Sequence, residues 1–405
     1  MKVTHIKLRH ASACELDAKV EAPGLLSRRS FPLFYRFPTE YAKSLKVSAD
    51  PFIAALLVPS MLLGEPLIVD APASPRLLRA LPKIMGFYHS LDPTLKIIEV
   101  RTLGERKFQH ANSTSKAEAL FFSCGVDSFY ALTKLTGSPG KNNLTHLMFV
   151  RGFDIKLEDA SLFRRTRKAA DEVASYYERK LVVAATNVRE VTDEYASWNN
   201  CCGAVLASVA LCLGAFFRRV YIASDLGPGE TAPLAIHPSL DPLWSTDSTT
   251  FIHYTYGISR VEKARSLGNN PMAQKHLRVC YENRYGAYNC GRCSKCVRTM
   301  LALHLAGALS KFHFPTTLTP ELVDRTDYCL DPSAITHAEQ ILHELQKAGE
   351  IQLANSLSRV TRKAHLIRPL EPLKVAMLKN KWGTRLLRFL AGRSSNPHGM
   401  KRSNV

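Results

Sequence analysis

Short hydrophobic runs alternate with helical patterns through the middle of the chain. The hydrophobic runs of strand length are Leu120–Ser123, His146–Val150, Leu181–Ala185 and Val220–Ala223, and the helical patterns are Ser128–Leu135, Leu162–Arg179 and Cys201–Phe217. Strands that alternate with helices are typical of a parallel sheet with crossover connections. We therefore predict an α/β protein with a doubly wound parallel sheet, whose strand ends face the ligand-binding loops.

The segments on either side of this region have different patterns. Before it, a helix at Arg76–His89 stands between short strands at Leu67–Val69 and Lys96–Arg101. After it, Pro320–Ala354 reads as a helix with Asp and Pro breaks. The predicted divisions are an N-terminal α+β domain over 1–115, a central domain over 116–312, and a helical basic extension with a disordered end over 313–405.

Two long apolar runs, Phe52–Gly64 and Gly203–Phe217, are shorter than the roughly 20 residues of a membrane span. We predict that each is a buried helix. No apolar signal region follows Met1. With 46% hydrophobic and 22% charged residues, the composition is that of a globular protein. These patterns predict a soluble, cytoplasmic protein and leave its oligomeric state open.

The charge is strongly positive and unevenly distributed. The net charge is +19, and Ile351–Val405 holds twelve Lys and Arg residues against one acid, Glu371. Such a segment suits a polyanion, either nucleic acid or an acidic membrane surface. A solvated helical face followed by a ragged terminus explains the same composition.

A polar turn, Phe122–Ser128, reads FSCGVDS and joins a predicted strand to a predicted helix. Backbone N–H groups at such a turn and helix start can surround an anion. Gly125 allows close approach of the backbone to a phosphate, and the hydroxyls of Ser123 and Ser128 can donate to its oxygens. Asp127 is suited to holding Mg²⁺ or orienting the loop. An ordinary strand–turn–helix without nucleotide is the alternative.

Four of the ten cysteines lie within seventeen residues, in the pattern Cys280-x9-Cys290-x2-Cys293-x2-Cys296. Clustered cysteines in a cytosolic chain favour metal binding over disulfides. Four thiolates complete a tetrahedral Zn²⁺ site with no open position, so this metal is expected to be structural. An iron–sulfur cluster also takes four cysteines and stays an alternative.

The turn resembles the S-G-G-x-D-S signature of PP-loop (N-type) ATP pyrophosphatases, with Cys124 at the position of the first glycine. Together with the phrase Asn289–Arg298, NCGRCSKCVR, it resembles the layout of 7-cyano-7-deazaguanine synthases over Leu120–Leu309, about half the chain. The resemblance implies an adenine nucleotide alpha hydrolase-like fold and zinc at the four cysteines. It implies nucleotide binding by Ser123, Cys124, Gly125, Val126, Asp127 and Ser128.

Known members of this family activate a carboxylate with ATP, and ammonia then attacks the acyl-adenylate. The resemblance therefore implies an ATP-dependent ligase for a small, deazapurine-like carboxylate, with Mg²⁺ accompanying ATP and pyrophosphate as a product. Family members often place a Lys downstream against pyrophosphate. Lys263, with Arg260 as its alternate, is the candidate here, and Asp127, Ser128 and Lys263 are the implied catalytic residues.

Further polar residues follow predicted strands and are weaker candidates for substrate or nucleotide contacts. Asn187 and Arg189 follow the third strand and are assigned to the nucleotide, although each is equally explained as a loop residue. The other candidates are Arg151 and Asp154 after the second strand, Asp225 after the fourth, and His237 and Asp241 beyond it. Trp244 is explained either by ring stacking or by core packing, and His253 by a structural role.

Two other functions stay open at this point. A nucleic-acid base-modifying PP-loop enzyme would use the same activation chemistry, and the basic terminus favours it. A catalytically degenerate member, with Cys124 marking a non-functional loop, would use the zinc fold for partner binding.

Overall fold

A computed structural model describes residues 1–22, 30–104, 117–137, 143–196, 198–227, 236–326 and 332–367. The chain divides into two compact units, Met1–Leu318 and Thr319–Val405. Ten strands in the described residues of the first unit form one sheet in the order β10-β9-β6-β7-β8-β3-β2-β1-β4-β5. They are β1 Lys2–His10, β2 Cys14–Glu21, β3 Ser30–Phe37, β4 Leu67–Val69, β5 Val100–Thr102, β6 Glu118–Phe121, β7 His146–Arg151, β8 Lys180–Thr186, β9 Arg219–Ala223 and β10 Thr250–Tyr254.

Nine α-helices lie in the described part of the first unit and three in that of the second. Those of the first unit are α1 Asp50–Leu63, α2 Pro75–Leu91, α3 Val126–Thr136, α4 Ala160–Tyr176, α5 Val188–Thr192, α6 Trp198–Leu211, α7 Arg260–Leu267, α8 Pro271–His276 and α9 Ser294–Leu305. Those of the second are α10 Pro320–Asp324, α11 Pro332–Lys347 and α12 Ile351–Ile367.

The strands β10-β9-β6-β7-β8 are parallel throughout. Alternate side chains of these strands face opposite helical layers. Phe122 after β6 packs on Phe129 of α3, and Phe149 of β7 stacks on Phe163 of α4. Met148 of β7 instead joins the core that contains α1 and α6. The predicted α/β class is confirmed, with a sheet that is mostly parallel.

The chain begins this parallel region in the middle, at β6, and extends it first through β7 and β8 and later through β9 and β10. The direction of winding therefore reverses between β6 and β9. In open α/β sheets, ligands bind at the carboxyl ends of the strands beside such a reversal. The loops after β6 and β9 are thus the positions where a site is expected.

The N-terminal segment is not a separate unit, contrary to the boundary predicted at 115. Its strands β1, β2 and β3 form an antiparallel meander, and β3 pairs with β8, where Tyr35 is opposite Thr186. The Tyr35 hydroxyl also lies 3.1 Å from Ser208 Oγ of α6. Without β3, β8 would be an unpaired edge strand. The two segments therefore form a single sheet and a single core.

The run Phe52–Gly64 forms most of α1, which is buried as predicted and accommodates Pro59 in its interior. Gly64 ends the helix with φ 67°, a conformation that favours glycine. No helix in the described ranges combines the length and the apolar character needed to cross a bilayer.

The second unit begins at Thr319, whose hydroxyl caps α10 by accepting from Leu322 N at 3.2 Å. The single interrupted helix predicted over Pro320–Ala354 is three helices, and α12 packs on both α10 and α11. Arg359 of α12 pairs with Asp324 at 2.8 Å. Most of the basic terminus and its predicted disordered end, 368–405, lie outside the described residues.

Candidate functional site

The turn between β6 and α3 lies at the carboxyl edge of the sheet, where the winding reverses. Cys124 has φ 62°, a left-handed conformation that glycine adopts more readily. Gly125 is the N-cap of α3, and it offers the first N–H groups of the helix no side-chain hydrogen bond. Ser123 is exposed, and the Ser128 hydroxyl donates to Gly125 O at 3.0 Å. The predicted loop residues therefore lie in one continuous turn at the N-terminus of α3, and their binding of a phosphate stays a prediction.

Asp127, in the first turn of α3, is contacted by two cations from α7. Lys263 Nζ lies 2.8 Å from Asp127 Oδ1, and Arg260 Nη1 lies 3.1 Å from Asp127 Oδ2. Both cations can reach the same carboxylate because residues three apart share one face of a helix. Ser259 Oγ caps α7 by accepting from Glu262 N. The structure thus brings together the predicted Asp127, Lys263 and Arg260.

Lys263 also spans the reversal point of the sheet. Its Nζ donates to Ser224 O, directly after β9, at 2.6 Å. The Lys263 side chain is 1% exposed and that of Arg260 is 4% exposed. Two buried cations therefore share one carboxylate, which leaves this side of the turn able to accept negative charge.

The contact with Ser224 O was not predicted, because a backbone carbonyl acceptor leaves no signal in the residue type. Its neighbour Asp225 was identified, since a carboxylate after a strand is a visible candidate.

The Cys124 side chain is fully buried. Burial raises the pKa of the Cys124 thiol to about 12, although Arg278 and a hydrogen bond with Tyr288 oppose the shift. The thiol is therefore neutral at physiological pH. Arg278 N donates to Cys124 O at 2.9 Å and so ties the turn to the segment that leads to Cys280.

The four predicted cysteine ligands converge. The sulfurs of Cys280, Cys290, Cys293 and Cys296 all lie within 4.8 Å of one another and are buried. Cys290 Sγ and Cys296 Sγ are 4.0 Å apart, and Cys280 Sγ and Cys293 Sγ are 3.9 Å apart. A Zn–S bond of about 2.3 Å requires tetrahedral edges of about 3.8 Å. The four cysteines therefore form a site that can hold a metal ion such as zinc.

Backbone N–H groups around this metal site favour thiolates. Asn283 N and Cys293 N donate to sulfur at 3.3 Å, and Cys296 N donates at 3.4 Å. Metal ligands must be deprotonated, so these donors fit the site for a cation.

Gly291 makes the turn between the first two cysteines of the Cys-x2-Cys-x2-Cys run. It has φ 68°, and a Cβ there would lie 2.2 Å from Thr316 Oγ1. The same Thr316 hydroxyl donates to Gly291 O at 2.8 Å. Both the backbone conformation and the close approach of Thr316 require glycine.

Asp154 links the segment that carries the cysteines to the loops at the carboxyl edge of the sheet. Asn283 Nδ2 donates to Asp154 O, and Lys295 Nζ lies 3.8 Å from the Asp154 carboxylate. Arg189 approaches the same carboxylate at 4.0 Å. Asp154 thus joins the loops after β7 and β8 to the cysteine segment, and its predicted substrate contact stays a prediction.

Asn187, Arg189 and Arg151 all have structural partners. Asn187 Oδ1 accepts from Phe34 N at 2.9 Å and its Nδ2 donates to Pro32 O at 2.8 Å, which joins β8 to β3. Arg189 pairs with Asp193 at 2.7 Å and lies 4.5 Å from the Trp198 ring centre. Arg151 donates to Leu157 O and lies 4.6 Å from the Phe163 ring. Their nucleotide and substrate contacts stay predictions.

Beyond β9, Asp241 and His253 form a buried polar pair and not an open site. Asp241 Oδ2 lies 2.8 Å from His253 Nδ1, and both side chains are at most 2% exposed. Burial raises the pKa of Asp241, and the His253 hydrogen bond opposes that shift. Trp244 is completely buried, so core packing is the correct interpretation and stacking on a substrate ring is wrong. Half-buried His237 packs against Phe87 at 5.0 Å.

No protein-family model, no curated protein and no solved structure matches the chain.

Proposed function

We propose that this chain is an ATP-consuming enzyme that adenylates a small carboxylate and releases pyrophosphate, as PP-loop ATP pyrophosphatases do. An adenine nucleotide alpha hydrolase-like fold is part of this proposal. The observation that carries it is the bridge from Asp127 through Lys263 to Ser224 O. This bridge crosses the reversal point of the sheet beside the turn before α3, where a phosphate chain would lie.

The charges at this site suit a transition state in which pyrophosphate departs. A carboxylate is a poor electrophile, and transfer of AMP to it supplies a good leaving group. During that transfer the carboxylate oxygen bonds to the α-phosphorus as the bond to pyrophosphate breaks, and Lys263 and Arg260 stabilise the negative charge that grows on the departing pyrophosphate. Asp127 holds both cations in position and is a positioning residue in this proposal.

The Mg²⁺ expected with ATP has no good protein ligand in this arrangement. Both oxygens of Asp127 already contact a cation, and the Ser128 hydroxyl donates to a backbone carbonyl. The role of Mg²⁺ therefore stays an expectation of the family resemblance.

The metal we propose at the cysteine site is Zn²⁺ with a structural role. Its four thiolates leave no position for water or substrate. Through Arg278 N and Cys124 O, this site supports the turn that would bind phosphate.

The test is isothermal calorimetry with ATP and Mg²⁺ on the full chain and on two lysine variants. Lys263→Met should weaken ATP binding by at least about tenfold, because a charge-assisted contact contributes about 1.5–3 kcal/mol. Lys275→Met should bind as the wild type does, because Lys275 is 62% exposed and pairs with Glu172. Absence of ATP binding by the wild type, or equal binding by Lys263→Met, would refute the proposal.

A further inference from the structure

The segment between Cys280 and Cys290 carries a tyrosine that is fully exposed to solvent. Tyr285 has φ 57°, between Asn283 with φ 50° and Gly286 with φ 67°. Bulky residues rarely adopt such angles. Strain of this kind is kept where the surrounding structure imposes it, and it concentrates at functional sites. The two cysteines hold the ends of the segment, so the metal site presents Tyr285 at its tip.

Helix α4 carries a group of exposed cations and contacts the segment that bears Tyr285. The exposed cations of α4 are Arg164, Arg165, Arg167 and Lys168. Arg165 lies 4.9 Å from the ring centre of Tyr288, which joins α4 to the segment that bears Tyr285. Arg167 pairs with Asp171 at 3.5 Å. In the described part of the chain, the other three α4 cations form no ion pair.

The tip itself adds a second aromatic ring and further positive charge. Tyr281 is 41% exposed, and Arg292 is exposed next to the metal ligands. Arg284 is also exposed, although it is hydrogen bonded to Glu282. We name this combined region the knuckle–α4 surface, defined by Arg164, Arg165, Lys168, Tyr281, Tyr285 and Arg292.

We infer that the knuckle–α4 surface binds single-stranded nucleic acid. An exposed aromatic ring is a stacking platform for any base, and cations without carboxylate partners attract phosphates. A duplex would conceal the base faces that Tyr285 is placed to meet. Outside Ile351–Val405, which contributes +11 of the net charge of +19, the chain keeps a net charge of +8, and this excess supports a polyanionic partner. This inference goes beyond the adenylation chemistry and does not rest on it.

A strand bound to this surface lies close to the phosphate turn. Asn283, two residues before Tyr285, donates to Asp154 O in the loop after β7. Arg278, two residues before Cys280, donates to Cys124 O in the turn itself. The base of the knuckle and the candidate site therefore share hydrogen bonds.

The experiment measures fluorescence anisotropy of labelled oligo(dT) with the full chain over a range of salt concentrations. Tyr285→Ala should raise the Kd by at least about fivefold, because stacking contributes about 1–3 kcal/mol per base. Tyr285→Trp should keep wild-type affinity. The double variant Arg164→Ala, Arg165→Ala should reduce the slope of log K against log[salt] by about 1.4, since each phosphate contact on a single strand contributes about 0.7.

Two control variants carry matched changes elsewhere. Tyr176→Ala removes a tyrosine that is 55% exposed at the far end of α4, and Arg9→Ala removes an arginine that is 66% exposed on β1. Both should bind as the wild type does, and all variants should melt at similar temperatures. The inference is overturned if the wild type does not bind oligo(dT). It is also overturned if Tyr285→Ala and the double arginine variant both bind with wild-type affinity and salt slope.

Discussion

Lys263 and Asp127, separated by 136 positions in the sequence, form an ion pair of 2.8 Å at the point where the winding of the sheet reverses. Lys263 is buried in this pair, and Arg260 contacts the other oxygen of the same carboxylate. The stability of this region therefore depends on Asp127.

Asp127→Asn should lower the free energy of unfolding by about 3 kcal/mol, because it leaves two buried cations without a counter-charge. Urea unfolding measures this change. Asp171→Asn is the control, since Asp171 is 50% exposed and pairs with Arg167 on one helix. That variant should change stability by no more than about 0.5 kcal/mol. Equal stability of the two variants would contradict the burial argument.

The purified protein should contain about one zinc ion per chain, and a strong chelator should lower its melting temperature. Cys293→Ser should lose the metal, because Cys293 supplies one of four converging sulfurs. Cys212→Ala should keep it, because Cys212 lies directly after α6, donates to Ser208 O and is not one of the four converging cysteines. Elemental analysis that finds iron, or no metal, in the wild type would remove zinc from this site.

Gly291→Ala should be far more damaging than Gly286→Ala. Both glycines have φ near 68°, at 68° and 67°, but a Cβ at position 291 meets Thr316 Oγ1 at 2.2 Å, whereas one at position 286 meets nothing within 4 Å. The backbone cost of about 1–2 kcal/mol is common to both, so the difference isolates the clash. Melting temperature and zinc content measure it, and equal values in the two variants would be inconsistent with this packing.

His146 should make the protein less stable in mild acid. It is buried at the start of β7 among the rings of Tyr41, Phe216 and Phe217. Burial, with a smaller contribution from Lys180, lowers the pKa of His146 from 6.5 to about 4. The unfolded chain therefore binds a proton more readily than the folded protein does.

The contribution of His146 to stability is complete above pH 6.5 and is lost as the pH falls from 6.5 to 4. Over this window, unfolding free energy should fall by up to about 1.4 kcal/mol per pH unit for this one proton. Urea unfolding at several pH values measures the slope, and His146→Gln should flatten it. An unchanged slope in His146→Gln would assign the acid sensitivity to other groups.

Local patterns in the sequence determined much of this protein. Hydrophobic runs of strand length predicted β6 to β9, because a strand that is buried on both faces needs continuous apolar residues. The cysteine spacing identified all four residues whose sulfurs converge on a possible metal site, since the last three lie within seven consecutive residues. The turn at Phe122–Ser128 was visible for the same reason, because its residues are contiguous.

Tertiary structure decided the features that depend on distant segments. Pairing of β3 with β8 merged the predicted N-terminal domain into one sheet, and strand pairing between distant segments leaves no local signal. Burial of Trp244 and the bonds of Asn187 to β3 gave these residues partners that their own neighbours in sequence do not reveal. The bridge from Asp127 through Lys263 to Ser224 O exists only because the sheet reverses its winding between β6 and β9.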